Sequence, residues 1–166
     1  MAQNIDNDIA IMRSVPTVSS ILEVVCRSTG MGFAAVARVT ESHWVACQVL
    51  DNIGFGLEPG GELDVETTLC HEVRQVRDVI VIDNVAEDPI YCDHHTPQLY
   101  GLQSYISVPV ILPDGRFFGT LCAIDSKPAQ LSAPHNLAMF KLFAELIGFH
   151  FDAAEKLKSA HASLID

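Results

Sequence analysis

Five cysteines and seven histidines are the residues of this 166-residue chain whose chemistry could make a site. Cys26, Cys47, Cys70, Cys92 and Cys122 are odd in number, far apart and without a C-x-x-C pair, so they suggest neither a disulfide framework nor a zinc ribbon, and free thiols are expected. His43, His71, His94 and His95 could serve as ligands, because imidazole is the commonest protein ligand for transition metals. Their spacing does not specify that role. No H-E-x-x-H motif occurs, and the adjacent His94 and His95 should point apart on either a helix or a strand, which makes solvated or hydrogen-bonded imidazoles the plainer reading. His135, His150 and His161 fall in the last helical stretch and read as interface or surface residues. Cys26 and Cys122 lie in apolar runs, where cysteine behaves as a small hydrophobe. Among the aromatic residues, Tyr100 and Tyr105 are favoured over Trp44 as pocket walls; Tyr91 is a further candidate. Asp83 closes an apolar run and could accept a hydrogen bond from a ligand or cap the following turn. No nucleophile elbow or P-loop occurs, and Gly54, Gly56, Gly60 and Gly61 do not fit the dinucleotide fingerprint. The chain is therefore not expected to be an enzyme, and its residues name no cofactor or metal.

Composition narrows the partners. Ten Lys plus Arg against twenty-one Asp plus Glu give a net charge of −11, which repels phosphate backbones and anionic lipid, so neither nucleic acid nor membrane is expected. With 49% hydrophobic and 19% charged residues, the chain has enough apolar content for one packed domain. No apolar run approaches the roughly 20 residues of a membrane span, and the N-terminus MAQNIDNDIA is acidic where a signal peptide would be basic. A cytoplasmic setting is the resulting expectation.

The elements that must position these residues follow from periodicity. Ile5, Ile9 and Met12 have helical spacing, and Pro16 separates this lead-in helix (1–16) from a second stripe of Val18, Ile21, Leu22 and Val25, which Gly30 and Gly32 terminate. FAAVARV (33–39) and HWVACQVL (43–50) predict an antiparallel hairpin. The glycine-rich 51–66 predicts a loop, and Thr67 or Thr68 can cap a helix carrying Leu69, Val73 and Val76 on one face. VIVID (79–83) predicts a buried strand, and residues 90–103 allow only a brief helix. SYISVPVIL (104–112), a PDGR turn and FFGTLCAID (117–125) predict a second hairpin. The final helix should run from a Ser132 cap to about Leu157, apolar on more than one face, so an intersubunit helix bundle is expected.

This order of elements, with ETTLCHEV (66–73), VIVIDNVAEDPIY (79–91) and LYGLQSYISVPVILPDGRFFGTLCAID (99–125), resembles the GAF domain of bacterial signalling proteins such as histidine kinases. The similarity covers roughly 17–155, with 156–166 as the start of a linker or signalling helix. It implies an α+β fold: a GAF/PAS-like central antiparallel β-sheet of about five to six strands, the N- and C-terminal helices on one face and a ligand cavity on the other. The cavity would be lined by 67–76 and 90–105, with His71, Asp83, Cys92, His94, His95, Tyr100 and Tyr105 as ligand-binding residues. The implied function is non-catalytic: a homodimer paired through its terminal helices binds a small molecule and signals to a covalently linked output domain.

Two alternatives use Cys92. It stands nine positions before Gly101, an interval similar to that between the bilin-bearing cysteine and the matching glycine of phytochromes, which this stretch resembles, although Asp93 occupies the place of the histidine expected there. Cys92-Asp93 also resembles the catalytic context of free methionine-R-sulfoxide reductases, with Cys70 or Cys47 as resolving thiol. That chemistry requires two cysteines that can meet and a nucleophile of depressed pKa.

Overall fold

The computed structural model describes residues 2–165, with side chains over 5–164. Helix α1 (Ala2–Arg13) meets α2 (Pro16–Thr29) at a bend of 74°. Pro16 causes the break, because its ring disfavours helical backbone at Val15, which is extended, while its own fixed φ suits the first turn of α2. Gly30 ends α2 in the left-handed conformation at φ 75°, donating its N–H to the Cys26 carbonyl. Among the described residues no single helix is long and apolar enough to cross a membrane; only the bent α1–α2 pair passes on combined length and composition.

Six strands form one antiparallel sheet in the order β3-β2-β1-β6-β5-β4. They are β1 (Phe33–Val39), β2 (Trp44–Asp51), β3 (Glu62–Leu63), β4 (Ile80–Ile82), β5 (Ser104–Ile111) and β6 (Phe117–Asp125). The two expected hairpins, β1–β2 and β5–β6, join through β1 and β6 to make the centre. The loop expected over 51–66 is not wholly irregular. Its Glu62–Leu63 pairs with Trp44 and Val45 at the sheet edge, and Val65–Thr67 forms a 3₁₀ turn.

Strand alternation sends side chains to two separate cores. Ala34, Val36, Ile106, Val108, Leu121 and Ala123 face the terminal helices. Ala35, Ala37, Tyr105, Cys122 and Ile124 face the opposite side, where α3 (Leu69–Val76) and α4 (His95–Tyr100) lie. The pairing register shifts next to Phe118, so Phe118 enters the helix-side core although Thr120 and Cys122 face the other way. Arg38 covers this irregularity, donating to the Phe118 and Val39 carbonyls and pairing with Asp8 of α1 at 3.0 Å.

Helix α5 (Pro134–Ile165) packs along the sheet through Phe140, Ala144, Ile147 and Phe151, a buried stripe at i, i+4, i+7 and i+11. It comes close because position 148 is glycine: a Cβ there would lie 2.7 Å from the Ile111 carbonyl oxygen of β5. Leu142 and Phe149 face away from this contact and remain 52% and 59% exposed. The helix is thus apolar on two faces, one of which the sheet covers. Ser132 does not act as the expected cap; its hydroxyl bonds to Asp83.

Candidate functional site

The opposite face of the sheet carries the site. Its floor is a row of small side chains in register: Ala35 of β1 pairs with Cys122 of β6, and Cys122 pairs with Ser107 of β5. Helix α3 can settle on this shallow row. Its start is fixed by Thr68, whose hydroxyl accepts from the His71 N–H at 3.3 Å, and its end by Arg77, which takes the left-handed conformation at φ 53°. Capping at Thr68 turns Cys70 down onto the floor.

The Cys70 Sγ there lies 3.1 Å from the Tyr105 hydroxyl, 3.5 Å from the Ser107 hydroxyl and 3.2 Å from that of Thr120, and Cys122, paired with Ser107 in the sheet, lines the same cavity. Burial by itself pushes the Cys70 thiol up, but the bonds from Cys122, Ser107, Thr120 and Tyr105 outweigh it and bring the pKa down to about 6. Cys122 moves the other way: its bond to Cys70 and its burial raise it well above the ordinary thiol range. The proton of the pair therefore stays on Cys122. Tyr105 is likewise raised by burial and by the neighbouring sulfurs, so its hydroxyl keeps its proton and can donate it.

Cys70 and Cys122 belong to the wall of a largely apolar cavity. Phe33, Trp44, Leu69, Leu102 and Ile124 line its interior; Phe55, Leu57, Leu63 and Tyr100 form its outer wall; Thr68, Thr96 and Tyr105 complete it. The space amounts to about 390 Å³ counting its mouth, of which about 40 Å³ is open to the centre of a water-sized molecule. Phe55, Leu57, Leu63 and Tyr100 also line a groove on the outer surface, so these four side chains separate the interior from solvent. Tyr100 is latched by a 2.5 Å bond between its hydroxyl and that of Thr67, and its ring lies 5.9 Å from that of Phe55. The Thr68 and Thr96 hydroxyls donate to the backbone carbonyls of Val65 and Thr67. The Trp44 indole N–H, by contrast, has no partner among the described residues although Trp44 is only 3% exposed.

Of the residues singled out from the sequence, Tyr100 and Tyr105 line this cavity and His71, Asp83, Cys92, His94 and His95 do not. Asp83 lies beyond β4, where its carboxylate accepts from the N–H groups of Leu131 and Ser132 and from the Ser132 hydroxyl. It braces the approach to α5. Cys92 is exposed in the turn before α4. His94 caps α4 by accepting from the Thr96 N–H and bonds Glu72 at 3.2 Å through Nε2, while His95 donates to the Glu66 carbonyl. The two rings do not point apart as expected; they stack with centroids 4.3 Å apart, because they straddle a helix cap where backbone direction changes. His71 contacts Gln75 on the outer side of α3, and His43 sits in the β1–β2 turn. Among the described residues no group of three or more His, Cys, Asp or Glu could hold a metal ion.

Trp44 and the core residue Cys122 also belong to the cavity wall, and Ser107 and Thr120, ordinary strand residues in the sequence, join them at Cys70. Cys47, one of the two thiols considered as a partner for Cys92, lies in the helix-side core, on the other side of the sheet from Cys70.

The GAF domain family model matches residues 16–151, and the chain belongs to that family. A curated relative is the diguanylate cyclase DgcP of Escherichia coli (strain K12), 40% identical over 68 residues that make up 39% of this chain. That likeness spans 20% of the cyclase's length. Solved structures of similar fold include the blue-light absorbing form of the Thermosynechococcus elongatus PixJ GAF domain, with TM-score 0.70 and 13% identity over 96% of this chain and 93% of that one. Another is the type II free methionine-R-sulfoxide reductase of Thermoplasma acidophilum, with TM-score 0.63 and 16% identity over 87% and 94% of the two chains. At such identities these structures share the fold with this chain, and a fold alone assigns no chemistry.

Proposed function

We propose that this GAF domain is a non-catalytic sensory module whose cavity takes a small, mainly apolar molecule bearing one hydrogen-bond acceptor. The observation that carries the reading is the Trp44 indole N–H, buried and unpaired among the described residues on a side chain that lines an apolar cavity. A buried donor without a partner costs about 1–3 kcal/mol, which an acceptor on a ligand recovers on binding. The narrow interior suits a ligand of a few heavy atoms, and a larger one would have to displace the Phe55–Tyr100 wall into the outer groove.

Signalling follows from the shared sheet. Cys122 and Ile124 touch the cavity, while their neighbours Leu121 and Ala123 touch the helix-side core. A ligand can move the terminal helices only if it binds two arrangements with different affinity, since equal affinity shifts nothing. The partial likeness to a diguanylate cyclase supports an output domain joined to this module. Exposed Leu142 and Phe149 on α5 suit pairing with a second copy. That part predicts a dimer by light scattering that Phe149→Glu converts to monomer.

Thermal melts with a panel of short-chain alcohols, ketones and monocyclic aromatics test the ligand reading. Several members should raise the midpoint of the wild type and none should raise that of Leu69→Phe, in which the cavity is filled. Binding that survives in Leu69→Phe would place the ligand elsewhere.

A further inference from the structure

The ligand reading leaves the cluster on the cavity floor without a role. Three potential donors converge on one sulfur, the hydroxyls of Tyr105, Ser107 and Thr120 around Cys70, and a second thiol, Cys122, stands beside them as the strand partner of Ser107. A neutral thiol in a packed core needs no such company, because cysteine is at ease there as a small hydrophobe. The arrangement matches an anionic sulfur, which accepts several hydrogen bonds at once. Both thiols line the cavity, whose open interior of about 40 Å³ admits a molecule of two or three heavy atoms.

We infer that Cys70 and Cys122 form a peroxide-reactive dithiol, with Cys70 as nucleophile, Cys122 as resolving thiol, and hydrogen peroxide entering through the cavity as oxidant. The inference goes beyond the ligand reading and stands without it, since it needs only the pair and access to it. The Cys70 thiolate attacks one peroxide oxygen, the O–O bond breaks, and the departing hydroxide takes up the proton that Cys70 released to solvent on becoming a thiolate and leaves as water. Cys70 is then a sulfenic acid. The Cys122 sulfur attacks the Cys70 sulfur, the S–OH bond breaks, and the hydroxyl leaves with the Cys122 proton as a second water. Two thiols have lost two electrons and two protons, and one peroxide has become two waters.

The lowered pKa of Cys70 and the raised pKa of Cys122 agree with this division of roles, because the thiolate is the nucleophile and the thiol supplies the proton. The product ties α3 to β6 across the cavity floor. Neither Cys92, exposed in a turn, nor Cys47, on the far face, shares these surroundings.

Hydrogen peroxide is added to the intact chain at neutral pH, aliquots are quenched in acid, remaining thiols are alkylated, and peptides are mapped by mass spectrometry. The expected product is a peptide pair linked through Cys70 and Cys122, with Cys70 lost on the order of tenfold faster than Cys92 after allowing for the weaker nucleophilicity of a low-pKa thiolate. In Cys122→Ser, dimedone should trap a sulfenic acid at Cys70, and Cys92→Ser should leave the link unchanged. Full alkylation of Cys70 and Cys122 after Cys92 has been consumed, or linkage of Cys70 to a different cysteine, overturns the inference. The wild-type mapping decides this even if a variant fails to fold.

Discussion

Cys70 of α3 and Cys122 of β6 line one cavity floor from opposite layers of the fold, and they titrate in opposite directions, Cys70 below and Cys122 above the ordinary thiol range. Fifty-two positions apart in sequence, they are brought together because Ala35, Cys122 and Ser107 form a row small enough for a helix to rest on.

This pair predicts a pH dependence. An unfolded cysteine titrates near about 8.5. The folded Cys70 titrates at about 6, so between these values the unfolded chain binds the extra proton and stability rises with pH. The contribution is complete above the unfolded value and is lost as pH falls through the folded one. Denaturant melts of the wild type and Cys70→Ala should therefore diverge in slope between pH 6 and about 8.5, the wild type gaining more. Thiolate ultraviolet absorbance should titrate near pH 6 in the wild type and at higher pH in Tyr105→Phe, which lacks one donor.

Trp44→Phe separates binding from stability. Removing an indole N–H that has no partner among the described residues should leave stability unchanged or raise it by about 1 kcal/mol, after any loss of packing. Affinity for an acceptor-bearing ligand should fall on the order of tenfold, about 1.4 kcal/mol. Calorimetric titration of a molecule found by the thermal panel checks both signs.

Tyr100→Phe should act on rate. It deletes the hydroxyl bonded to Thr67 and keeps the ring against Phe55, so the outer wall opens more readily. Stopped-flow binding should show faster association and faster dissociation with a smaller change in equilibrium affinity.

Gly148→Ala tests the seat of α5. In an exposed helix interior that change stabilises by about 1 kcal/mol. Here the new methyl meets the Ile111 carbonyl, so melts should show a loss of about 1–3 kcal/mol.

Both central hairpins and the stripes of α2 and α5 were legible in the sequence, since each is encoded by local alternation, turn residues or helical spacing. The brief α4 was legible too, bounded by a polar cap and Gly101. The cavity floor was not, because Cys70, Ser107, Thr120 and Cys122 come from three elements and none is unusual in its own segment. Asp83 shows the complementary problem. Its place after a strand was readable, but whether it faced the cavity or the approach to α5 depended on how residues 126–133 cross the sheet. For His94 and His95, alternation failed because a helix cap interrupts any regular period.

The account rests on communication between the cavity and α5 through one sheet. Amide hydrogen exchange on the intact chain, with and without a saturating panel molecule, measures it directly. The account predicts altered protection in residues 137–155 of α5 as well as around Trp44, Leu69 and Tyr100. Changes confined to the cavity walls, with α5 exchanging at the same rate in both states, would contradict it.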